Sequence, residues 1–294
     1  MAEILVVSGK GGTGKTTVTA AFAQLAANAV ICDLDVDTPD LHLILAPERE
    51  ESFDFYAGHR AEIVPELCQG CGTCAEMCRF NAVRAGTESY VVDPLACEGC
   101  NVCVTFCPAE AIRFPQYRCG RTHRSRTRFG PMVHARLIPG EENSGLLVSR
   151  LRDDARLVAQ ATGRGTILSD GAPGIGCPVI SSLTGTDLAV AVAEPSLSGR
   201  HDLERIAGLA ARFRVPMAVI LNKADANAGI RAGILDFCRG LGLPVIAELP
   251  YDPAVVEAMI AGKTVIEHDS GRLAAPLRAA WEEITRLAAT RRAA

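Results

Sequence analysis

Short, unbroken apolar runs organise the chain. Residues 3–8 (EILVVS), Val30–Asp33, Thr166–Ser169, Leu188–Ala193, Met217–Leu221 and Val245–Leu249 are each four to six residues long, and Gly, Pro or Asp bounds them. A strand that is apolar on both faces is covered on both faces, which is the habit of parallel sheets. Between these runs, Gly14–Asn28, Asp202–Phe213, Gly229–Leu241 and Pro253–Ala261 have helical spacing. The alternation predicts an α/β fold: a mostly parallel sheet in three layers, with helices on either side.

The rhythm stops between about Glu62 and Phe114. There CQGCGTCAEMCRFNAVR, beginning at Cys68, is echoed 29 positions later by CEGCNVCVTFCPAEAIR, beginning at Cys97. The match runs on to Ala82/Ala111 and Arg84/Arg113. A repeat this short is a duplicated half-domain rather than a solenoid. It predicts a small α+β insertion at 62–117, dividing an α/β domain into 1–61 and 118–294.

Composition narrows the class. With 48% hydrophobic residues the chain of 294 is not disordered. Its apolar runs fall far short of the roughly 18 residues of a membrane-spanning helix. A formal charge of −4 argues against wholesale nucleic-acid binding. EILVVSGKGG stands where a secretory signal would, so a cytoplasmic location is expected. Twelve cysteines in a reducing compartment point to metal ligation before disulfides.

Gly9–Thr16 reads GKGGTGKT, a match to G-x-x-x-x-G-K-[ST] between a predicted strand and a predicted helix. In such a loop the backbone N–H groups of Gly11, Gly12, Thr13, Gly14, Lys15, Thr16 and Thr17 can close on phosphate oxygens at a helix N-terminus. Lys15 can reach the β- and γ-phosphates, and the Thr16 hydroxyl can ligate Mg²⁺. The additional Lys10 resembles the deviant phosphate loop of the MinD/ParA/Mrp ATPases, a family that includes the nitrogenase iron protein. CDLDVDTPDLH resembles that family's switch I and SDGAPGIGCP its switch II. The resemblance implies ATP as ligand and Lys10 acting across a homodimer. It also implies Asp35 positioning the attacking water, Asp33 supporting Mg²⁺ through water, Asp170 closing a strand, and Gly174 near the γ-phosphate. In LNKAD, Asn222 would read adenine, with Pro250 and Asp252 beside the base.

Cys68, Cys71, Cys74 and Cys78 are spaced x2, x2, x3, and so are Cys97, Cys100, Cys103 and Cys107, the last followed by Pro108. This is the bacterial ferredoxin pattern for two [4Fe–4S] clusters, in which each run lends its fourth cysteine to the other cluster. One cluster would take Cys68, Cys71, Cys74 and Cys107; the other Cys97, Cys100, Cys103 and Cys78. Structural zinc and disulfides are the competing readings. Cys32 and Cys238 read as small core residues. Cys177 and Cys119 could together hold a further cluster across a dimer two-fold, as in the nitrogenase iron protein, or be a helix-start and a turn residue.

Arg113, Arg118, Arg121, Arg124, Arg126, Arg128 and Arg136, with His123 and His134, form a run without an acid. It reads as a solvated face or as a docking surface for an acidic protein. TRFGPMVHA reads alternatively as a strand with a turn at Gly130–Pro131. Leu277, Trp281, Ile284 and Leu287 form an apolar stripe near Arg291 and Arg292, expected to dock on the core rather than on a membrane. Together these features predict an ATPase, a nucleotide-gated homodimer with ATP, Mg²⁺ and two [4Fe–4S] clusters. Such a protein would couple ATP state to electron transfer or metallocluster assembly on a redox or metalloprotein partner. A spatial organiser like MinD, using the ferredoxin segment as sensor or docking module, is the alternative.

Overall fold

The computed structural model describes residues 1–141, 143–268 and 271–293, with side chains to residue 290. The chain divides into two units. One comprises Met1–Phe53, Arg121–Arg136 and Ser144 onward; the other comprises Asp54–Gly120 and Leu137–Asn143. The second unit thus includes, besides the cysteine repeat, a short segment at 137–143 further along the chain.

In chain order the elements up to the cysteine segment are β1 (Ala2–Ser8), α1 (Lys15–Leu25), β2 (Ala29–Asp33), α2 (Leu41–Leu45) and β3 (Glu48–His59). The cysteine segment holds β4 (Glu62–Ile63), α3 (Thr73–Glu76), β5 (Val83–Ala85), β6 (Tyr90–Val92), α4 (Val102–Thr105) and β7 (Ile112–Arg113). Then come β8 (Gln116–Thr127), β9 (Gly130–Leu137), α5 (Ser144–Thr162), β10 (Thr166–Pro173), α6 (Cys177–Leu183), β11 (Leu188–Ala193) and α7 (Leu197–Arg212). The last are β12 (Met217–Asn222), α8 (Ala228–Gly240), β13 (Val245–Leu249), α9 (Ala254–Ile260) and α10 (Gly271–Ala293).

A nine-stranded sheet runs β13-β12-β11-β1-β10-β2-β9-β8-β3, and every pairing from β13 to β9 is parallel. Strand residues alternate between two buried faces. Ile4, Val6, Ile31, Leu168, Val190 and Ile220 share one core with Phe22 of α1 and Leu277 and Ile284 of α10. Phe22 and Trp281 meet with ring centroids 5.4 Å apart. The stripe on α10 therefore packs on the core, with Leu277 and Ile284 buried and Trp281 and Leu287 partly so; Arg291 and Arg292 lie outside the described side chains. Among the described residues no helix is long and apolar enough to cross a membrane. Helices α5, α6 and α7 pack on β2, β10 and β11, and their buried Leu147, Leu151 and Ile206 belong to the other layer. The result is a three-layer α/β fold.

The far edge of the sheet explains the basic run. β3 is exposed along nearly its whole length and is rich in acids. Arg124 meets Glu51 at 3.2 Å and Arg126 meets Glu48 at 3.5 Å; Arg118 meets Asp54 at 3.4 Å. Most of the run's arginines are thus balanced by acids of their own chain, so the segment is not an uncompensated basic field. The hairpin β8–β9 turns at Arg128 and Phe129, two residues before the predicted Gly130–Pro131 turn, and Gly130 opens β9. Arg128 then donates to the carbonyls of Ile44 and Leu45 and pairs with Glu267, closing the C-terminal end of α2.

The second unit contains two two-stranded antiparallel sheets, β4 with β7 and β5 with β6, and the short helices α3 and α4. These helices occupy equivalent places in the two halves of the repeat. Its elements are too short to bury a large core of their own.

Candidate functional site

Open α/β sheets bind ligands beyond the carboxyl ends of their strands. There β1 gives way to the loop at Gly9 and α1 begins at Lys15. Gly14 has φ +92°, and a Cβ on it would lie 2.3 Å from the Asn222 amide nitrogen, so only glycine fits. That nitrogen donates to the Thr13 carbonyl at 2.8 Å, while the Asn222 side-chain oxygen accepts from the Lys223 N–H. Asn222 thus fastens β12 to the loop as well as facing the cavity. The Gly174 N–H donates to the Ser8 carbonyl at 2.9 Å, bringing the predicted switch II to the foot of the loop.

A cavity of about 440 Å³ opens here, walled by Gly11, Gly12, Thr13, Gly14, Lys15, Thr16, Thr17, Asp35, Asn222, Pro250 and Asp252. Tyr251, Val256 and Met259 supply an apolar side. Ten cavity-binding positions expected from sequence therefore lie on one wall set, with Asp35 beside them.

Beneath the loop is a cluster of charges. The Lys15 ammonium lies 2.9 Å from Asp170 Oδ1 and 3.9 Å from Asp35 Oδ2. Asp170 also accepts from the Thr16 hydroxyl at 2.8 Å and the Thr19 hydroxyl at 2.7 Å. Asp33 accepts one bond from the Asp35 N–H at 3.2 Å, while its Oδ2 is buried without a partner. Burial and then the Asp170 charge raise the Asp33 pKa well above its ordinary 3.8, against the pull of Lys15. Burial also raises Asp35, with Lys15 opposing. Burial would lower Lys15, but Asp170 and the other carboxylates outweigh it and raise its pKa.

Three carboxylates face one ammonium, a surplus of negative charge that a divalent cation would neutralise. Among the described residues no three acidic, Cys or His side chains close on one point. This donor set fits Mg²⁺, which takes one or two protein oxygens and completes its shell with water and phosphate. Thr16 and the orphaned Asp33 oxygen are the groups with capacity to serve it.

Lys10 points away from this cluster. Its ammonium lies 2.6 Å from Glu194 Oε1 and donates to the Ser198 hydroxyl at 2.9 Å. Lys223 takes the other Glu194 oxygen at 3.1 Å. Glu194, Ser196 and Ser198 follow β11 and carried no signal in the sequence beyond an ordinary strand-end loop. Thr19 and Thr38, which hold Asp170 and Asp35, were likewise not foreseen.

The eight patterned cysteines fall into two smaller cavities. Cys68, Cys71, Cys74 and Cys107 line one; Cys97, Cys100, Cys103 and Cys78 line the other. The fourth thiol of each run sits in the cavity of the other run. The Ala82 N–H donates to Cys78 Sγ at 3.3 Å and the Ala111 N–H to Cys107 Sγ at 3.4 Å, the same bond in each half. Gly99 passes so close to the His59 carbonyl that a Cβ would sit 2.4 Å from its oxygen. All twelve cysteines are free thiols, which removes the disulfide reading. Among the described residues no three Cys, His or acidic side chains are grouped as ligands of one ion. A cubane holds its cysteines at four separate iron corners, so it asks for four thiols around a space rather than around a point. The donor set fits that group.

Cys32 and Cys238 are buried, as expected of core residues. Cys119 is fully buried and its thiol donates to the Ala57 carbonyl at 3.0 Å, so it does not present a ligand at a dimer surface. Cys177, the other member of the pair considered above, is exposed at the start of α6, as a helix-start residue would be.

Comparison with known proteins places these features. The family model of the CobQ/CobB/MinD/ParA nucleotide binding domain matches residues 4–265. The uncharacterized protein MJ0578 of Methanocaldococcus jannaschii is 28% identical over 287 residues, covering 96% of both chains. The septum site-determining protein MinD of Escherichia coli K12 is 47% identical over 60 residues, 19% of this chain and 22% of that one. The solved MinD of Pyrococcus horikoshii complexed with Mg-ADP matches in fold, with TM-score 0.58 at 16% identity over 99% of this chain and 98% of that one. The MinC:MinD complex of Aquifex aeolicus gives TM-score 0.58 at 16% identity, over 97% and 96% of the two chains.

The Asp33 geometry makes a stability prediction. A carboxylate whose pKa is raised by folding favours the folded state at low pH and disfavours it as pH rises from about 4 through the raised value. Asp33→Asn should therefore stabilise the protein without ligands by about 1–2 kcal/mol at neutral pH, and by less near pH 4. Urea unfolding at both pH values measures this. Equal or lower stability of the variant at neutral pH would remove the strained carboxylate from the account.

Proposed function

The chain belongs to the CobQ/CobB/MinD/ParA nucleotide-binding family, and on that premise we propose that it is a Mg²⁺-dependent ATPase, a nucleotide-gated homodimer whose ATP state controls electron transfer to a partner redox protein or metalloprotein. The phosphates would lie along the loop N–H groups from Gly11 to Thr17, with Lys15 turning from Asp170 toward the β- and γ-oxygens. Mg²⁺, when bound, would supply charge neutralisation for the phosphates. The Thr16 hydroxyl, now bonded to Asp170, and the unpartnered Asp33 oxygen are the groups that would hold it. Asp35 orients the attacking water; its raised pKa makes it a better proton acceptor than an ordinary exposed carboxylate. In-line attack forms the new P–O bond as the bond to the ADP oxygen breaks, and the proton passes toward Asp35. The base would lie between Pro250, Asp252 and the apolar wall of Tyr251 and Met259.

Lys10 is held by Glu194 and two serine hydroxyls, where it serves no phosphate of its own site. Its place in the cycle would be at the nucleotide of a second copy, reached on leaving Glu194. Closure on ATP and release after hydrolysis then follow the γ-phosphate.

The observation that carries the redox half is the sorting of eight thiols into two sets of four, with Cys78 and Cys107 exchanged between the runs. We assign Cys68, Cys71, Cys74 and Cys107 to one [4Fe–4S] cluster and Cys97, Cys100, Cys103 and Cys78 to the other, in an inserted ferredoxin-like unit. Such clusters supply one-electron chemistry. A reducing cytoplasmic setting suits them. Because every thiol of the repeat has a place in one of the cavities, resident carriers fit better than a cargo cluster awaiting delivery. The MinD likeness also supports a spatial organiser, but the α10 stripe that a membrane tail would use packs on the core.

Anaerobic purification with iron and sulfide analysis tests the assignment. About eight irons and eight sulfides per chain are expected, and Cys107→Ala should lose the cluster built mainly by the first run. Stoichiometric zinc with no EPR signal on reduction contradicts it. For the dimer, Lys10→Ala should keep ATP binding within about threefold while hydrolysis and ATP-dependent dimerisation, read by light scattering, fall at least about tenfold. A variant that hydrolyses ATP normally as a monomer overturns the role of Lys10.

A further inference from the structure

The two cysteine cavities are built by a repeat, so each residue of one has a counterpart 29 positions away in the other, and their differences can be read directly. Two differences lie in the walls of the cavities that hold the thiols. The Thr73 hydroxyl lies 3.5 Å from Cys71 Sγ, and Thr73 lines the first cavity. Its counterpart is Val102, which lines the second cavity and has no hydrogen to donate. Gln69, neutral, lines the first cavity; its counterpart Glu98, a carboxylate, lines the second. The remaining walls lean the same way. The first includes Tyr90, whereas the second has Phe80 and Phe114. Glu76 is an opposing charge on the first run, where the second has Thr105, but it is not part of the cavity wall.

Reduction adds an electron to a centre already rich in negative sulfur. Hydrogen bonds to the sulfurs stabilise the added charge and raise the potential, whereas a nearby carboxylate and apolar walls lower it. The Thr73/Val102 and Gln69/Glu98 differences have the same sign; the Gly72/Asn101 difference, which gives the second cavity a side-chain amide, runs the other way and is outweighed by the Glu98 carboxylate. Resting on the cluster assignment above, we propose that Thr73 and Glu98 set the two centres apart in potential. The centre held by Cys68, Cys71, Cys74 and Cys107 is the higher, and the one held by Cys97, Cys100, Cys103 and Cys78 the lower. A single electron then moves from the second centre to the first, oxidising the one as it reduces the other, with no bond made or broken. An electron shared by the two centres therefore comes to rest on the one held with the first run. Thr73 and Glu98 are positioning residues for charge, not ligands.

Potentiometric EPR titration of the anaerobically purified full chain, with titanium(III) citrate as reductant, tests this. Two reduction waves are expected. Thr73→Val should lower the upper wave alone, and Glu98→Gln should raise the lower wave alone. Val102→Thr, which adds the missing hydroxyl, should also raise the lower wave. Each shift is expected to change the distribution of the electron between the centres up to tenfold, about 59 mV for one electron. If iron and sulfide stay at two cubanes per chain while Thr73→Val moves the lower wave, or no variant moves either wave, the ordering is overturned. If the wild-type chain holds no cubane by iron, sulfide and EPR, the cluster assignment itself fails, and the ordering with it.

Discussion

Asp33 and Asp170 are direct neighbours in register across β2 and β10, so the sheet itself holds two carboxylates side by side at its carboxyl edge. Like charges facing each other on adjacent strands are destabilising, and both groups are almost wholly buried. Moving either aside would require breaking a parallel ladder that is continuous through β1 and β11. The site therefore keeps its surplus negative charge. Lys15, Thr16 and Thr19 all bond to Asp170, while one Asp33 oxygen is left unmatched. A cation with phosphates satisfies both needs at once, and this gives the proposed ATPase its dependence on Mg²⁺. It also places the switch elements where a change of phosphate charge is felt first, since α2 follows Asp35 and α6 follows Asp170.

The second unit works on a different principle. Its strands are two or three residues long, and its halves are related by duplication. Such a unit gains little from apolar burial, and in the proposed holo-protein the metal–thiolate bonds take over that role. Exchange of Cys78 and Cys107 ties each half to the other's centre, so neither half would be complete alone. In the nucleotide-binding unit an ion pair does comparable work at a smaller scale. Glu194 holds Lys10 and Lys223 together beside the loop, so a ligand that draws off either lysine alters the other.

What could be read from sequence was governed by burial. Leu188–Ala193 and Val245–Leu249 were legible to the residue, because a strand covered on both faces is an apolar run with sharp ends. The loop side of the cavity wall was legible for a related reason, since a phosphate loop needs glycine and lysine at fixed spacing. β3 was not: EREESFDFYAGH is an exposed edge strand held by arginines of its neighbour, and no apolar period marks it. The long helix α5 was also missed. Its buried Arg152 and Asp154 interrupt the apolar face, and Arg152 is there to bond the Ser181 carbonyl and Glu3. Glu194 could not have been found, because what distinguishes it is the pair of lysines brought to it from β12 and the loop.

The central claim is that the buried carboxylates make this site one for Mg²⁺ and nucleotide together rather than for nucleotide alone. Titration calorimetry of ATP binding, with Mg²⁺ and then with the metal chelated, tests it most directly. The account predicts binding at least about tenfold tighter with Mg²⁺, a difference of about 1.4 kcal/mol or more. Equal affinity in the two conditions would mean that the Asp33 and Asp170 charges are not what the ligand answers, and would contradict it.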